Sequence, residues 1–196
     1  MGRTLKFALT SLTFNVVFAA YHLVLGLITS SWWLLSVGSY YLILSVVRFA
    51  VLLTKKNERF ITKFTGWMLI ILSIPLFGTV ILSVVRDRGR DLHMIVMIAM
   101  AAYAFTKITL ATVNLIKSLH STLGKLIALR NISFADALAS IFALQRSMLV
   151  SFEGMRETEI VIMNAVLGFS VCVIVFLLGI NLLQNKKILF NKLNNE

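Results

Sequence analysis

The sequence predicts an all-α protein, a polytopic bundle of transmembrane helices that forms a single membrane domain over residues 1–196. Three observations favour this class. Hydrophobic residues make up 59% of the chain, and its mean hydropathy is +0.90. Charged residues make up only 14%, whereas an ordinary soluble domain has about 25%. The apolar residues also form runs of about twenty, the length that an α-helix needs to cross a bilayer.

Six such runs follow one another, separated by short polar connections. We expect them to be spans with the limits 7–29, 32–54, 64–85, 94–119, 132–151 and 160–183. The connection Thr29-Ser30-Ser31 is so short that the first two spans must be antiparallel neighbours. Trp32, Trp33 and Trp67 stand at span ends, where interfacial aromatic anchors belong.

Two later spans carry further packing signals. Pro75 frees a backbone acceptor inside the third span and should kink it. In the fifth span small residues recur every four positions, at Ala135, Ala139, Ala143 and Ser147. A stripe of this kind lets another helix approach closely, so we expect it to be a packing face, and it is also one candidate interface for a homo-oligomer.

The distribution of Lys and Arg predicts the orientation in the membrane. Twelve of these residues fall on one side: Arg3, Lys6, Lys55, Lys56, Arg59, Lys63, Lys117, Lys125, Arg130, Lys186, Lys187 and Lys192. Only Arg86, Arg88, Arg90 and Arg156 fall on the other. The positive-inside rule therefore places both termini in the cytoplasm, as six spans require. The loop from Arg86 to Asp91 is basic for an outside loop and is the weakest part of this prediction.

The same distribution changes the interpretation of the net charge. A charge of +11 would point to nucleic acid in a soluble chain, but here most basic residues flank the spans. We therefore expect the lipid bilayer as partner, and no nucleic acid. The single cysteine, Cys172, lies inside an apolar run, which leaves no disulfide framework and no metal spacing. No cofactor is indicated.

Charged residues inside the spans are the main functional signal, because a charge at the bilayer centre costs about 2.5–3.5 kcal/mol on insertion scales. With the predicted limits, Arg48 lies about 9 Å and Asp136 about 6 Å from the cytoplasmic end of its span. Shared depth allows these two residues to form a structural ion pair. Lys107, by contrast, lies about 18 Å from that end, with no carboxylate expected at its depth.

Arg146 and His22 fall at about 21 and 22 Å, close to the depth of Lys107. Helical spacing places Asn15 on the stripe of His22, and places Tyr103 and Asn114 on that of Lys107. The sum of intramembrane charges is +2, which suits an anion. We therefore expect a water-accessible anion site formed by Lys107, Arg146, His22, Asn15, Tyr103 and Asn114.

A structural interpretation of the same residues stays open. In this interpretation the side chain of Lys107 extends towards a polar region and that of Arg146 extends to the outer headgroups. His22 then only forms a hydrogen bond to a neighbouring helix. A further alternative is a neutral Lys107, since desolvation favours the uncharged amine. In that state Lys107 or His22 exchanges a proton during transport.

Four short segments carry a resemblance to known proteins: Ser31-Trp32-Trp33, Tyr40-Tyr41, Arg48-Phe49 and 132–145, which reads ISFADALASIFALQ. In these segments the chain is similar to small six-span membrane proteins of Gram-positive bacteria whose activity is uncharacterised. The resemblance covers about half of the chain. It implies a multi-pass protein of the bacterial plasma membrane and nothing about activity.

The sequence favours a small transporter or channel for an anionic solute. No motif of a hydrolase, metalloprotease or nucleotide-binding enzyme is present, so no enzymatic activity is expected. The first alternative is a substrate-binding subunit of a multi-subunit importer, because the size and topology resemble the S-components of vitamin importers. The second is a non-transporting membrane partner, such as an immunity or sensor protein.

Overall fold

The computed structural model describes residues 2–54, 57–85, 94–118, 123–151 and 156–184. Six helices account for nearly all of these residues: α1 (Gly2–Thr29), α2 (Trp32–Leu53), α3 (Glu58–Val85), α4 (Met94–Ser118), α5 (Gly124–Ser151) and α6 (Glu157–Gln184). The described residues contain no strand, which confirms the all-α class. The loop from Arg86 to Asp91 and the lysines after residue 184 lie outside the described part of the chain.

Four of the helices are long and apolar enough to cross a membrane. They are α2, α3, α6 and the Gly124–Arg146 part of α5. The apolar stretches described in α1 and α4 are shorter, Asn15–Ile28 and Ala104–Ile116. The fold is therefore that of a helical membrane protein with at least these four membrane-compatible helices.

The first two helices form a tight hairpin, as the sequence predicts. Ser30 turns the chain with a φ of +51°, in the left-handed region. Ser31 then caps α2, because its hydroxyl accepts a hydrogen bond from the backbone N of Leu34 at 3.5 Å. Gly26 lets the helices approach, since a Cβ there would lie 2.9 Å from the side chain of Leu35.

Helix α5 lies at the centre of the bundle and packs against α2, α3, α4 and α6. Its small-residue stripe is covered by the chain itself: Ala135, Ala139 and Ala143 are 0%, 5% and 6% exposed. These three alanines therefore pack within the chain, which confirms the packing interpretation for them. The physical reason is that α2 and α3 bring Val37 and Leu76 to the same small gap as two of these alanines.

The N-terminal end of α5 is held by residues from α2 and α3. The backbone N of Gly124 donates to a carboxylate oxygen of Glu58 at 2.9 Å, and the ammonium of Lys125 donates to the carbonyl of Leu52 at 2.7 Å. A Cβ at residue 124 would lie 2.8 Å from the carbonyl oxygen of Glu58, so only glycine fits. These contacts start α5 eight residues before the predicted limit at 132.

Helices α3 and α6 form the most extensive helix pair. They approach backbone to backbone at two glycines, because a Cβ on either Gly66 or Gly179 would lie 2.9 Å from the carbonyl oxygen of the other. Pro75 lies within α3, which continues through it from Glu58 to Val85.

Candidate functional site

Asp136 of α5 is fully buried and binds three side chains from three other helices. Its Oδ1 accepts a hydrogen bond from the ammonium of Lys107 at 2.7 Å. Its Oδ2 accepts one from the side-chain amide of Asn15 at 2.9 Å and one from the guanidinium of Arg48 at 3.4 Å. Helices α1, α2 and α4 therefore meet α5 at a single carboxylate.

Two serines of α5 complete this arrangement. Ser133 and Ser140 lie on the same face as Asp136, one turn to either side of it, at spacings of three and four residues. The guanidinium of Arg48 donates to the Ser133 hydroxyl at 3.3 Å. The ammonium of Lys107 donates to the Ser140 hydroxyl at 2.9 Å. Each cation thus contacts the carboxylate and one neighbouring hydroxyl, and we call these six residues the Asp136 cluster (Asn15, Arg48, Lys107, Ser133, Asp136, Ser140).

The hydroxyl of Tyr41 extends the cluster to the side of α2. Ser140 donates its proton to the backbone carbonyl of Asp136 at 2.9 Å and accepts from Lys107. The Tyr41 hydroxyl lies 3.1 Å from the Oγ of Ser140. Because the hydroxyl hydrogen of Ser140 already points to the Asp136 carbonyl, Tyr41 is the donor in this contact. Its ring also lies 5.8 Å from the ammonium of Lys107, within the range of a cation–π contact.

The formal charges of the six cluster residues sum to +1, because Arg48 and Lys107 both contact the carboxylate of Asp136. In the sequence, Asp136 is the single acidic residue within the predicted span limits. Removing charges from water is costly, and pairing together with hydrogen bonding makes the burial tolerable. Asp136 therefore stabilises both cations without neutralising their sum.

The predicted pair of Arg48 and Asp136 is confirmed, with a nitrogen–oxygen distance of 3.4 Å. The expected separation of Lys107 from any carboxylate is wrong. The error lies in the assumed start of the fifth span at 132. Because α5 begins at Gly124, Asp136 lies about 18 Å along its helix, the same depth as the estimate for Lys107.

The earlier start of α5 also moves Arg146, which now lies about 33 Å from the beginning of the helix. That is the whole thickness of a hydrocarbon core of about 30 Å. Its guanidinium packs 4.1 Å from the ring of Trp33, near the α1–α2 turn. Arg146 therefore lies about 15 Å along α5 from Asp136 and does not share a site with Lys107.

His22 lies beside the cluster rather than in it. Its Nδ1 is 2.9 Å from the backbone carbonyl of Phe18, and because a carbonyl only accepts, Nδ1 carries the hydrogen. The Phe18 ring contacts His22 at 4.1 Å and Tyr41 at 4.9 Å between centroids. His22 is thus connected to the cluster only through aromatic packing.

The remaining predicted residues have separate outcomes. Asn15 joins the cluster, where it binds the carboxylate. Asn114 is exposed, and the side chain of Tyr103 lies outside the described part of the chain. Sequence reasoning missed Ser133 and Ser140, although their spacing about Asp136 places all three on one helical face.

No family model matches the chain, and no curated protein matches it either. The structure alone therefore defines the class of protein. Over the described residues it is a helical protein with four membrane-compatible helices and a buried ion cluster on its most buried helix. Such intramembrane charges mark ion and solute pathways often enough that the cluster is the primary candidate for a functional site.

Proposed function

We propose that this protein is a small six-span transporter or channel of the bacterial plasma membrane that moves an anionic solute past the Asp136 cluster. Both termini are in the cytoplasm in this proposal. The asymmetry of Lys and Arg supports the orientation, and the six helices with their short connections support the number of spans. Accessibility of cysteines introduced beyond each end of α1 and α4 tests both points, and labelling from one side only at either helix would contradict six spans.

The observation that carries the proposal is the contact of two cations with one buried carboxylate in the cluster. Lys107 and Arg48 share this carboxylate at 2.7 and 3.4 Å. A bound anion would place further negative charge beside these two cations, in surroundings where electrostatic interactions are strong. This arrangement replaces the site expected from the sequence, because Arg146 and His22 contribute no direct contact to it.

The contacts of the cluster also indicate how binding would proceed. Lys107 lies 2.7 Å from Asp136, so an arriving anion does not meet a bare ammonium. It must take over one of the contacts that Lys107 makes with Asp136 or Ser140. Asp136 keeps Arg48 and Asn15 during that exchange, which limits the cost of releasing the lysine.

Anion flux into liposomes that contain the purified protein tests this proposal, with chloride and nitrate as probes. We expect Lys107→Met to lower the flux at least about tenfold, because a hydrogen bond to a charged group contributes about 1.5–3 kcal/mol. Lys63→Met is the matched control, since Lys63 is exposed on α3 and should leave flux unchanged. Equal flux in the wild type and Lys107→Met would exclude the cluster as the site.

A second function is favoured by one feature of the same cluster. Asp136 joins the four helices α1, α2, α4 and α5 through its hydrogen bonds, as a purely structural residue would. A non-transporting membrane partner requires only this structural role of the cluster. Absence of flux for every anion tested, together with tight copurification with another membrane protein, would favour this function over transport.

A further inference from the structure

A small gap lies between α2, α3 and α5, and we call it the α2–α3–α5 gap. Its lining includes Ala139 and Ala143 of α5, Val37 and Tyr41 of α2, and Leu76 of α3. The volume of the gap is about 10 Å³, and about 10–15 Å³ is the smallest volume that holds a water molecule. The gap is therefore at the lower limit of size for a single water.

One end of the gap touches the Asp136 cluster. The hydroxyl of Tyr41, which lines the gap, lies 3.1 Å from the Oγ of Ser140. The ammonium of Lys107 donates to that same oxygen at 2.9 Å. Ala139 directly precedes Ser140 and lies one turn after Asp136. The gap is thus continuous with the polar groups of the cluster.

The other end of the gap lies next to the contact between Arg146 and Trp33. Arg146 follows Ala143 by three residues, and Trp33 precedes Val37 by four, which is about one turn in each helix. The guanidinium of Arg146 packs 4.1 Å from the Trp33 ring. Helices α2 and α5 therefore agree that the gap separates this contact from the Asp136 cluster.

Buried polar atoms at the Arg146 end point to water there. Trp33 Nε1 and Asn164 Oδ1 are buried and have no hydrogen-bond partner among the residues that the structure describes. Asn164 lies at the level of Arg146, because the neighbouring Gln145 donates to the carbonyl of Met163 at 3.1 Å. Buried polar atoms that the protein does not satisfy are usually satisfied by water. This end of the bundle therefore favours hydration.

The gap itself is apolar, because the hydroxyls in its lining already have partners. Thr79 donates to the backbone carbonyl of Leu76 at 2.6 Å, and Tyr40 donates to that of Ala135 at 3.2 Å. The lining thus presents mainly carbon atoms. Narrow apolar constrictions exclude water and gate ion passages in this way, so the gap is closed to a hydrated ion.

From this arrangement we propose that the α2–α3–α5 gap is a hydrophobic gate. Water and the anion pass through it between the Arg146 end of the bundle and the Asp136 cluster. The gate opens when α3 moves away from α5, and Pro75, next to Leu76 in this wall, removes one backbone hydrogen bond from α3. The passage of the anion rests on the proposed function, whereas the entry of water does not.

Thiol accessibility tests the gate in the full chain reconstituted in liposomes. Cys172→Ala removes the single native cysteine, and the probe is sulfonatoethyl methanethiosulfonate, an anionic reagent that reacts in water. We expect Ala143→Cys to react. Ala137→Cys is the matched control and should not react, because Ala137 is 0% exposed and lies about 120° from Ala143 around α5. No reaction in Ala143→Cys, or equal reaction in both variants, would overturn the proposal.

A second pair of variants tests whether the gap limits access. Leu76→Ala widens the gap and should speed the reaction of Ala143→Cys severalfold. Leu69→Ala removes an equally buried leucine two turns earlier on the same face of α3 and should leave the rate unchanged. Equal acceleration by both would mean general loosening of the core and would overturn the gate. If Ala143→Cys fails to fold, Ala139→Cys on the same gap takes its place.

Chloride flux separates this proposal from the proposed function. Reaction of Ala143→Cys with the reagent should abolish chloride flux, and treatment of Ala137→Cys should not change it. Flux that depends on Lys107 but persists after Ala143→Cys has reacted would overturn the gate and leave transport standing. Selective reaction of Ala143→Cys in a protein that moves no anion would support the entry of water through the gap and overturn transport.

Discussion

The contact between α3 and α6 and the Asp136 cluster join helices by opposite means. At Gly66 and Gly179 the backbones approach so closely that a Cβ would lie 2.9 Å from a carbonyl oxygen, and no charge is involved. At Asp136 the helices are joined through side chains, with hydrogen bonds of 2.7 to 3.4 Å to a fully buried carboxylate.

The difference shows what holds apolar helices together in a bilayer. Lipid tails are as apolar as leucine, so burial of apolar surface provides little force between helices, and close packing or polar contacts must provide it. Helices α3 and α6 use close packing over a long interface. Helix α4 has one extensive neighbour, α5, and Lys107 adds a charged contact to that interface.

The largest effect is expected from Asp136→Asn, which removes the charge and keeps the shape. Arg48 and Lys107 then lose the carboxylate that both contact, and breaking a buried pair in this way costs about 3–5 kcal/mol. Reaction of a thiol-reactive dye during heating measures the loss, because Cys172 is the only cysteine and is buried in the fold.

The double variant Asp136→Asn, Lys107→Met tests whether charge is the cause. Removing the second charge should recover part of the lost stability, since fewer cations are then left without a counterion. If the double variant is no more stable than Asp136→Asn alone, the cluster does not act through its charge and the comparison with α3 and α6 loses its basis.

The apolar runs of the sequence were enough to predict the helices, and the limits of the predicted spans explain what went wrong in the site. Hydropathy detects apolar runs and does not detect the first turns of a helix where these carry charges. The first turns of α5 include Lys125 and Arg130, which conceal the helix from a search for apolar runs. The difference of eight residues between the predicted and the observed start of α5 accounts for the error in the depth estimated for Asp136.

The members of the cluster were partly predictable for the same reason. Arg48 and Asp136 stand out because a charge in an apolar run needs a partner, and their similar estimated depths led us to pair them. The same estimates did not show that Lys107 also contacts Asp136, because that depends on helix starts and on which helices α5 contacts. Ser133 and Ser140 carry no charge, so nothing in the hydropathy pattern distinguishes them from packing residues.

A smaller effect is expected from Gly66→Val, which breaks the close contact and leaves the cluster untouched. The added side chain meets the carbonyl of Gly179 and must push α3 and α6 apart, at a cost of about 1–3 kcal/mol by the measure of overpacked cores. The reaction of Cys172 with the thiol-reactive dye during heating again measures the loss of stability.

Combining Gly66→Val with Asp136→Asn sharpens the comparison. The two positions share no contact residue among those described, so their effects should add to within about 0.5 kcal/mol. A marked departure from additivity would mean that the α3–α6 contact and the cluster form one cooperative unit and do not stabilise the fold independently.

The smallest effect, with the opposite sign, is expected from Gly78→Ala on the same helix as Gly66. A Cβ at Gly78 would have no atom within 4 Å outside the helix. Alanine there restricts the unfolded chain and favours the helix, which should raise stability by about 0.5–1 kcal/mol. Heating with the same dye compares the two variants directly. If Gly78→Ala destabilises the protein as much as Gly66→Val does, then α3 does not tolerate substitution at either glycine. In that case the loss of stability in Gly66→Val could not be attributed to the contact between Gly66 and Gly179.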